Sequence, residues 1–119
     1  MNRAAFAADL IERPYRKLPG SRRFFLGVRD RTKRGDVIAV YAPLATGPEW
    51  SGAYDYLYGR ALYPLAGRLA VPTIDAQSRV AMANVMRADY VACYRSEPPF
   101  PGFTPVWRTG DGVLLRRTR

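Results

Sequence analysis

DVIAVYAP, Asp36 to Pro43, is β-branched and nearly continuously apolar. A strand with one face in water alternates apolar and polar residues, whereas an unbroken run is expected where both faces are covered. The stretch therefore predicts a central strand with the rest of the chain built around it. Downstream, Thr46-Gly-Pro-Glu49 matches a capping box for a helix running to about Tyr63, with Trp50, Tyr54, Leu57 and Ala61 along one face. Gly67 to Val71 then reads as a second strand ended by Pro72, and Asp75 or Ser78 caps a helix through Val80, Ala83 and Met86. Asp89 to Tyr94 is a third strand. Strand and helix alternating in this way predict a parallel sheet with right-handed crossovers, in the order 2-1-3.

Upstream of the central strand, Ala4 to Ile11 carry a short helical pattern after Asn2 and before Pro14. Ser21 is placed to cap a second helix from Arg22 to about Lys33, with Phe24, Phe25 and Val28 facing the core and Gly35 as the C-terminal stop. At the other end of the chain, Phe103 to Arg108 and Gly112 to Arg117 read as two strands around a tight turn, added antiparallel at one edge. The fold class is α/β: a three-layer, Rossmann-like mixed sheet with a closing β-hairpin. The 119 residues form one domain, with a basic helical segment over 1–34 and a sheet-containing core over 36–117.

Composition narrows the chemistry. There is no histidine and one cysteine, Cys93, so an internal disulfide, a Cys/His metal set and a Ser-His or Cys-His catalytic pair are all excluded. Cys93 lies inside the apolar run Tyr90 to Tyr94, which predicts a buried, inert thiol. No metal and no cofactor is expected. Asp55, Asp75, Asp89 and Asp111 are the acids nearest strand ends, and no spacing brings two of them to one site. The longest uncharged runs stop well short of the roughly 20 residues that span a bilayer. No secretory signal is readable.

The formal charge is +9, from 19 basic and 10 acidic residues, and it points to polyanions or anionic membrane surfaces as partners. All but two of the basic residues are arginines, a skew that GC-rich codon usage produces without any ligand. The densest basic segment comprises Arg13, Arg16, Lys17, Arg22, Arg23, Arg29, Arg31, Lys33 and Arg34, with Asp30 alone opposing them. Phosphates of a nucleic acid or of lipid headgroups satisfy such charges equally well, and so does water on a solvated face. A second candidate site follows from the sheet. Ligands of open α/β sheets bind beyond the carboxyl ends of the strands, which points to Thr46, Gly47, Trp50 and Tyr54, with Asp75 near the end of the second strand. One glycine is neither of the phosphate-binding fingerprints, and structural capping by Thr46 explains the same residues.

RTGDG, Arg108 to Gly112, poses a choice between a phosphate cradle and a turn. Asp-Gly between two apolar strands is a strong hairpin signal, with the glycine supplying positive φ, whereas a phosphate cradle leads into a helix. The turn is the better reading.

The run RADYVACYRSEPPFPGFTPVWRTGDGVLLRR, 87–117, and the run WSGAYDYLYGRALYPLAGRLAVP, 50–72, together resemble a known family. It is the small extracytoplasmic α/β domain at the C-terminus of bacterial polytopic membrane glycosyltransferases. In that family a strand of the type ADYVVVY precedes a Pro-rich loop and a closing strand pair, and a tyrosine-rich helix leads into a strand matched here by Ala61-Leu-Tyr-Pro64 and Gly67-Arg68. Those enzymes use polyprenyl-phosphate-linked sugars and keep their catalytic carboxylate between transmembrane helices. With no such helices here, no catalytic residue carries over. The resemblance implies a non-catalytic accessory or docking domain serving a membrane glycosyltransferase or other lipid-linked sugar machinery. Its partner would be a membrane protein, an anionic membrane surface or the polyprenyl-phosphate carrier. It implies the extracytoplasmic face of the bacterial membrane for a domain of a larger membrane protein, and a free-standing chain is expected in the cytoplasm. Two other readings stay open: a basic nucleic-acid-binding module, and a small enzyme with its site at the end of the first strand.

Overall fold

The computed structural model describes residues 18–42, 57–73, 87–96 and 100–118. In chain order these give helix α1 (Ser21–Asp30), strand β1 (Val37–Tyr41), a helical segment α2 over 57–62, and strands β2 (Leu69–Pro72), β3 (Tyr90–Tyr94), β4 (Phe103–Thr109) and β5 (Gly112–Arg117). The five strands form one mixed sheet in the order β2-β1-β3-β5-β4. β1 pairs parallel with β2 and β3, with Ala39 opposite Val71 on one side and Val91 on the other. The central strand and the 2-1-3 order are those expected from DVIAVYAP. β5 lies antiparallel to β3, and β4 closes the edge.

Burial follows the pleat. Ile38 and Val40 of β1, Ala70, Ala92, Tyr94 and Leu114 join Phe24, Phe25 and Val28 of α1 and Leu57, Ala61 and Leu65 in one apolar cluster. Successive side chains of a strand point to opposite faces. Ala39, Tyr41, Val71, Val91, Cys93, Val113 and Leu115 accordingly form a second cluster with Ala88 and Phe100 on the other face. Both described helices thus pack on the same face. The helix expected between Asp75 and Met86, and with it the third layer, falls outside the described residues.

Phe24 and Phe25 are fully buried and meet edge to face at 5.2 Å. Each removes a side chain worth about 2–3 kcal/mol from water. Trp107 of β4 stacks on Phe24 at 5.6 Å with the rings 8° apart, and Arg31 lies 4.1 Å from the Trp107 ring centroid. The indole reaches the helix because residue 27 is glycine, where any Cβ would run into the ring.

Each edge strand limits further pairing in its own way. In β2, Leu69 directs its N–H to Asp36 of the β1 side, so the alternate residues Ala70 and Pro72 face outward. The Tyr58 hydroxyl donates to the outward Ala70 carbonyl at 2.8 Å, and Pro72 offers no N–H. β4 carries Pro105 and a bulge between Pro105 and Trp107.

Three local expectations are corrected. α1 begins at Ser21 and ends at Asp30, three residues before Lys33, and its N-cap is Gly20 in a left-handed conformation (φ 77°). The Ser21 hydroxyl is buried without a hydrogen bond, so it caps nothing. The helix stops early because the Thr32 hydroxyl donates to Val28 O at 2.9 Å and Arg68 takes the carbonyls of Arg29 and Thr32 at 3.0 and 2.8 Å. Those groups satisfy the last turn, which Gly35 was expected to end. Finally, neither Gly110 nor Gly112 has positive φ. Gly112 is needed for room: a Cβ there would collide with the Cys93 carbonyl oxygen of β3 and approach Phe24 Cε1 at 2.9 Å.

Candidate functional site: a basic pole at the start of the parallel strands

The two ends of the sheet differ in what their arginines face. At the carboxyl ends of β1 and β3, the hairpin turn of β4 and β5 meets the start of α1, since Gly112 pairs with Tyr94. Asp111 receives two hydrogen bonds from Arg23, at 2.6 Å from Nε and 2.9 Å from Nη2. Its carboxylate lies against the Cα of Gly20, beside a helix that has no acidic residue in its own first turn. Negative charge is favoured there by the helix dipole. The Arg23 hydrogen bonds, with the charges of Arg23 and Arg95, hold the Asp111 carboxyl below its ordinary range against the opposing effect of burial. Arg95, itself at φ 53°, donates its backbone N–H to Asp111 O at 2.7 Å. The Tyr94 hydroxyl donates to Pro19 O at 2.7 Å, and burial raises its pKa. RTGDG therefore supplies an anion to the helix end instead of cradling one.

At the opposite end, where β1, β2 and β3 begin, the loops converge differently. Lys33 and Arg34 occupy the turn from α1 into β1, and Gly35 N donates to Gly67 O at 2.9 Å, which ties that turn to the one preceding β2. The Arg34 side chain covers Gly67. Arg87 precedes β3 in a left-handed conformation (φ 52°), and Arg116 lies opposite Tyr90 at the end of β5. Arg117 donates to Ala88 O at 2.7 Å and lies 4.8 Å from the Phe103 ring centroid. Lys33, Arg34, Arg87 and Arg116 are exposed.

The carboxylates at this pole form no ion pair with its outer cations. Asp36 accepts from the Lys33 backbone N–H at 2.9 Å, and Asp89 accepts from the Val37 N–H at 2.8 Å. Two of the acids at this end, Asp36 and Asp89, are directed to the backbone. Asp30 pairs with Arg29 at 3.3 Å, and Asp111 is at the far end. Among the described residues no carboxylate pairs with Lys33, Arg34, Arg87 or Arg116. Arg68 is different: its guanidinium is spent on Thr32, Arg29 and Ala66 oxygens, at the end of α1 where the dipole favours a cation.

The basic segment read from the sequence is thus divided. Arg22 and Arg23 stand at one end of α1 and Arg31, Lys33 and Arg34 at the other, with Arg29 in the last turn; a ten-residue helix of about 15 Å lies between. Arg23 is engaged by Asp111 and Arg31 by Trp107. Arg87 and Arg116, absent from the sequence-based patch, are brought to the pole by the sheet. Arg13, Arg16 and Lys17 lie outside the described residues, as do Thr46, Gly47, Trp50, Tyr54 and Asp75. At the carboxyl end of β2, the buried Thr73 hydroxyl donates to Val40 O at 2.6 Å. Among the described residues no three of His, Cys, Asp and Glu gather as metal ligands, and no helix is long and apolar enough to cross a membrane. Cys93 is fully buried.

An exposed cluster of cations can bind phosphate or carboxylate groups. No protein-family model, no curated protein and no solved structure matches the chain.

Proposed function

We propose that the protein is a non-catalytic α/β docking domain that engages an anionic, phosphate-bearing surface through its basic pole, as an accessory to membrane-embedded, lipid-linked sugar machinery. The observation that carries the docking role is the disposition of the carboxylates: Asp36 and Asp89 accept from backbone N–H groups and leave Lys33, Arg34, Arg87 and Arg116 facing outward. The machinery itself is suggested by the resemblance of 87–117 and 50–72 to the extracytoplasmic glycosyltransferase domain. The polyprenyl-phosphate carrier and the headgroups around it present the required anion. That setting lies outside the cytoplasmic membrane. We also infer the three-layer form of the fold, because right-handed crossovers take the β2-to-β3 connection over the apolar face lined by Val71, Val91 and Cys93.

Binding to phosphatidylglycerol vesicles over a range of NaCl concentrations tests the docking role. Lys33→Glu with Arg116→Glu is expected to abolish binding, while Arg22→Glu, at the other end of α1, leaves most of it. Equal losses from the two ends would reduce the effect to net charge and sink the pole. Tight binding of a single-stranded RNA with a steep salt slope, and none of vesicles, would establish the nucleic-acid reading instead.

A further inference from the structure

Beyond its cations, the same pole exposes apolar side chains. Large hydrophobic residues exposed among the described ones are Leu62 (47%), Tyr63 (88%), Leu69 (54%) and Val106 (51%), and the first three fall between the end of α2 and the start of β2. That short stretch is tied directly to the basic turn. Gly35 N donates to Gly67 O, Leu69 N donates to Asp36 O at 2.9 Å, and the Arg34 side chain lies over Gly67. Its own turns are closed by Leu65 N to Ala61 O, Ala66 N to Tyr63 O and Arg68 N to Leu65 O, at 2.9–3.2 Å. The backbone that presents Leu62, Tyr63 and Leu69 is therefore fixed to the sheet, and Leu57, Ala61 and Leu65 around it are buried.

From this juxtaposition we propose that Leu62, Tyr63 and Leu69 form a membrane-insertion tip, and that Lys33, Arg34, Arg87 and Arg116 set it on the headgroups of an anionic bilayer. The inference rests on the docking role proposed above and names its partner as the lipid surface itself. Two properties select lipid. A tyrosine next to an exposed leucine suits the boundary between headgroups and acyl chains, where an aromatic ring keeps its hydroxyl wet and its body apolar. Aliphatic Leu62 and Leu69 have no counterpart in a nucleic acid, which rewards aromatic stacking. The flanking cations then supply charge complementarity to the negative leaflet, each worth roughly fivefold in partitioning. Of the described carboxylates at this pole, Asp30 is exposed and pairs with its neighbour Arg29, while Asp36 and Asp89 accept from backbone N–H groups.

The test is flotation of the protein with vesicles of phosphatidylcholine alone and of phosphatidylcholine mixed with phosphatidylglycerol, at low and high NaCl. Wild type is expected on the mixed vesicles only, with binding that weakens with salt. Leu62→Ser with Tyr63→Ser is expected to lower partitioning by roughly tenfold at every salt concentration, from the apolar area lost, while the salt slope stays as in wild type. Lys33→Ala with Arg34→Ala should lose roughly 25-fold at low salt and flatten the slope. Both pairs are exposed, so unchanged thermal melting of the variants is the control for folding. If the apolar pair binds as wild type does, insertion is wrong and purely electrostatic docking stands. If wild type ignores the mixed vesicles, the docking role and the tip fall together.

Discussion

Replacing Gly112 tests what the glycine of RTGDG is for. If it supplied positive φ, Asn would be the mildest substitute, because Asn enters the left-handed region more readily than Ala. The structure puts Gly112 outside that region and against the neighbouring strand. A Cβ would collide with the Cys93 carbonyl, part of a strand held between β1 and β5, and would stand 2.9 Å from Phe24 Cε1. Phe24 has no room to retreat: it is fully buried between Phe25 and Trp107. Overpacking of this kind costs about 1–3 kcal/mol, and a forced shift of backbone places Gly112→Ala at the upper end. For a domain of this size that is a loss of roughly 10 °C in Tm. Gly112→Asn, which is larger, should be worse. Gly110→Ala is the control: nothing lies within 4 Å of its Cβ position and its φ is not positive, so the change should be neutral or stabilising by about 0.4–1 kcal/mol. Urea unfolding followed by circular dichroism gives the three values, read as midpoint shifts at constant slope. Asn at 112 tolerated better than Ala, or a loss at 110 as large as at 112, would refute the steric account.

Two further substitutions probe the ends of α1. Asp111→Asn removes the charge beside Gly20. Because the folded pKa of Asp111 is depressed, its contribution is complete above the ordinary aspartate value and fades as pH falls through the lower folded value. The gap in Tm between wild type and variant should therefore hold at neutral pH and close in acid; a gap that persists in strong acid contradicts the assignment. Arg68→Met deletes the fork that takes the Arg29 and Thr32 carbonyls and should lower stability by about 2 kcal/mol. Arg68→Lys should recover only part of the loss in the same urea titration, since an ammonium cannot span those oxygens with one planar fork.

The legible part of the fold was what local pattern encodes. DVIAVYAP announced a central strand, the alternation of elements gave 2-1-3, and the apolar runs around RTGDG marked the hairpin. The order of the two hairpin strands is not decided by the sequence reading and comes from the structure, where Pro105 of FTPVWRT lies on the edge strand and the continuously apolar GVLL on the interior one. The limits of α1 were not legible, because Ser21 and Gly35 look like caps while the groups that act at the two ends, Asp111 and Arg68, come from turns distant in sequence. The distribution of the basic residues was not legible for a related reason. Proximity in sequence joined Arg22 to Arg34 across a helix length, and only the register of β5 on β3 brings Arg116 to the same end as Lys33.

Charge count alone says little about what a basic protein touches, since an arginine beside a carboxylate is neutral at a distance. The position of the few acids decides the matter here. Asp111 lies within reach of Arg23 and Arg95, so the carboxyl ends of the strands carry a partly compensated field. At the amino ends, Asp36 and Asp89 are turned to backbone N–H groups of the α1-to-β1 turn and of Val37, and they shape the loops that display the cations. One pair of acids thus does two things: it fixes the turns and leaves the arginines outward. Exposed cations gathered at one end help to orient a molecule toward an anionic layer before contact. The end it turns toward an anionic layer is the one that carries Tyr63.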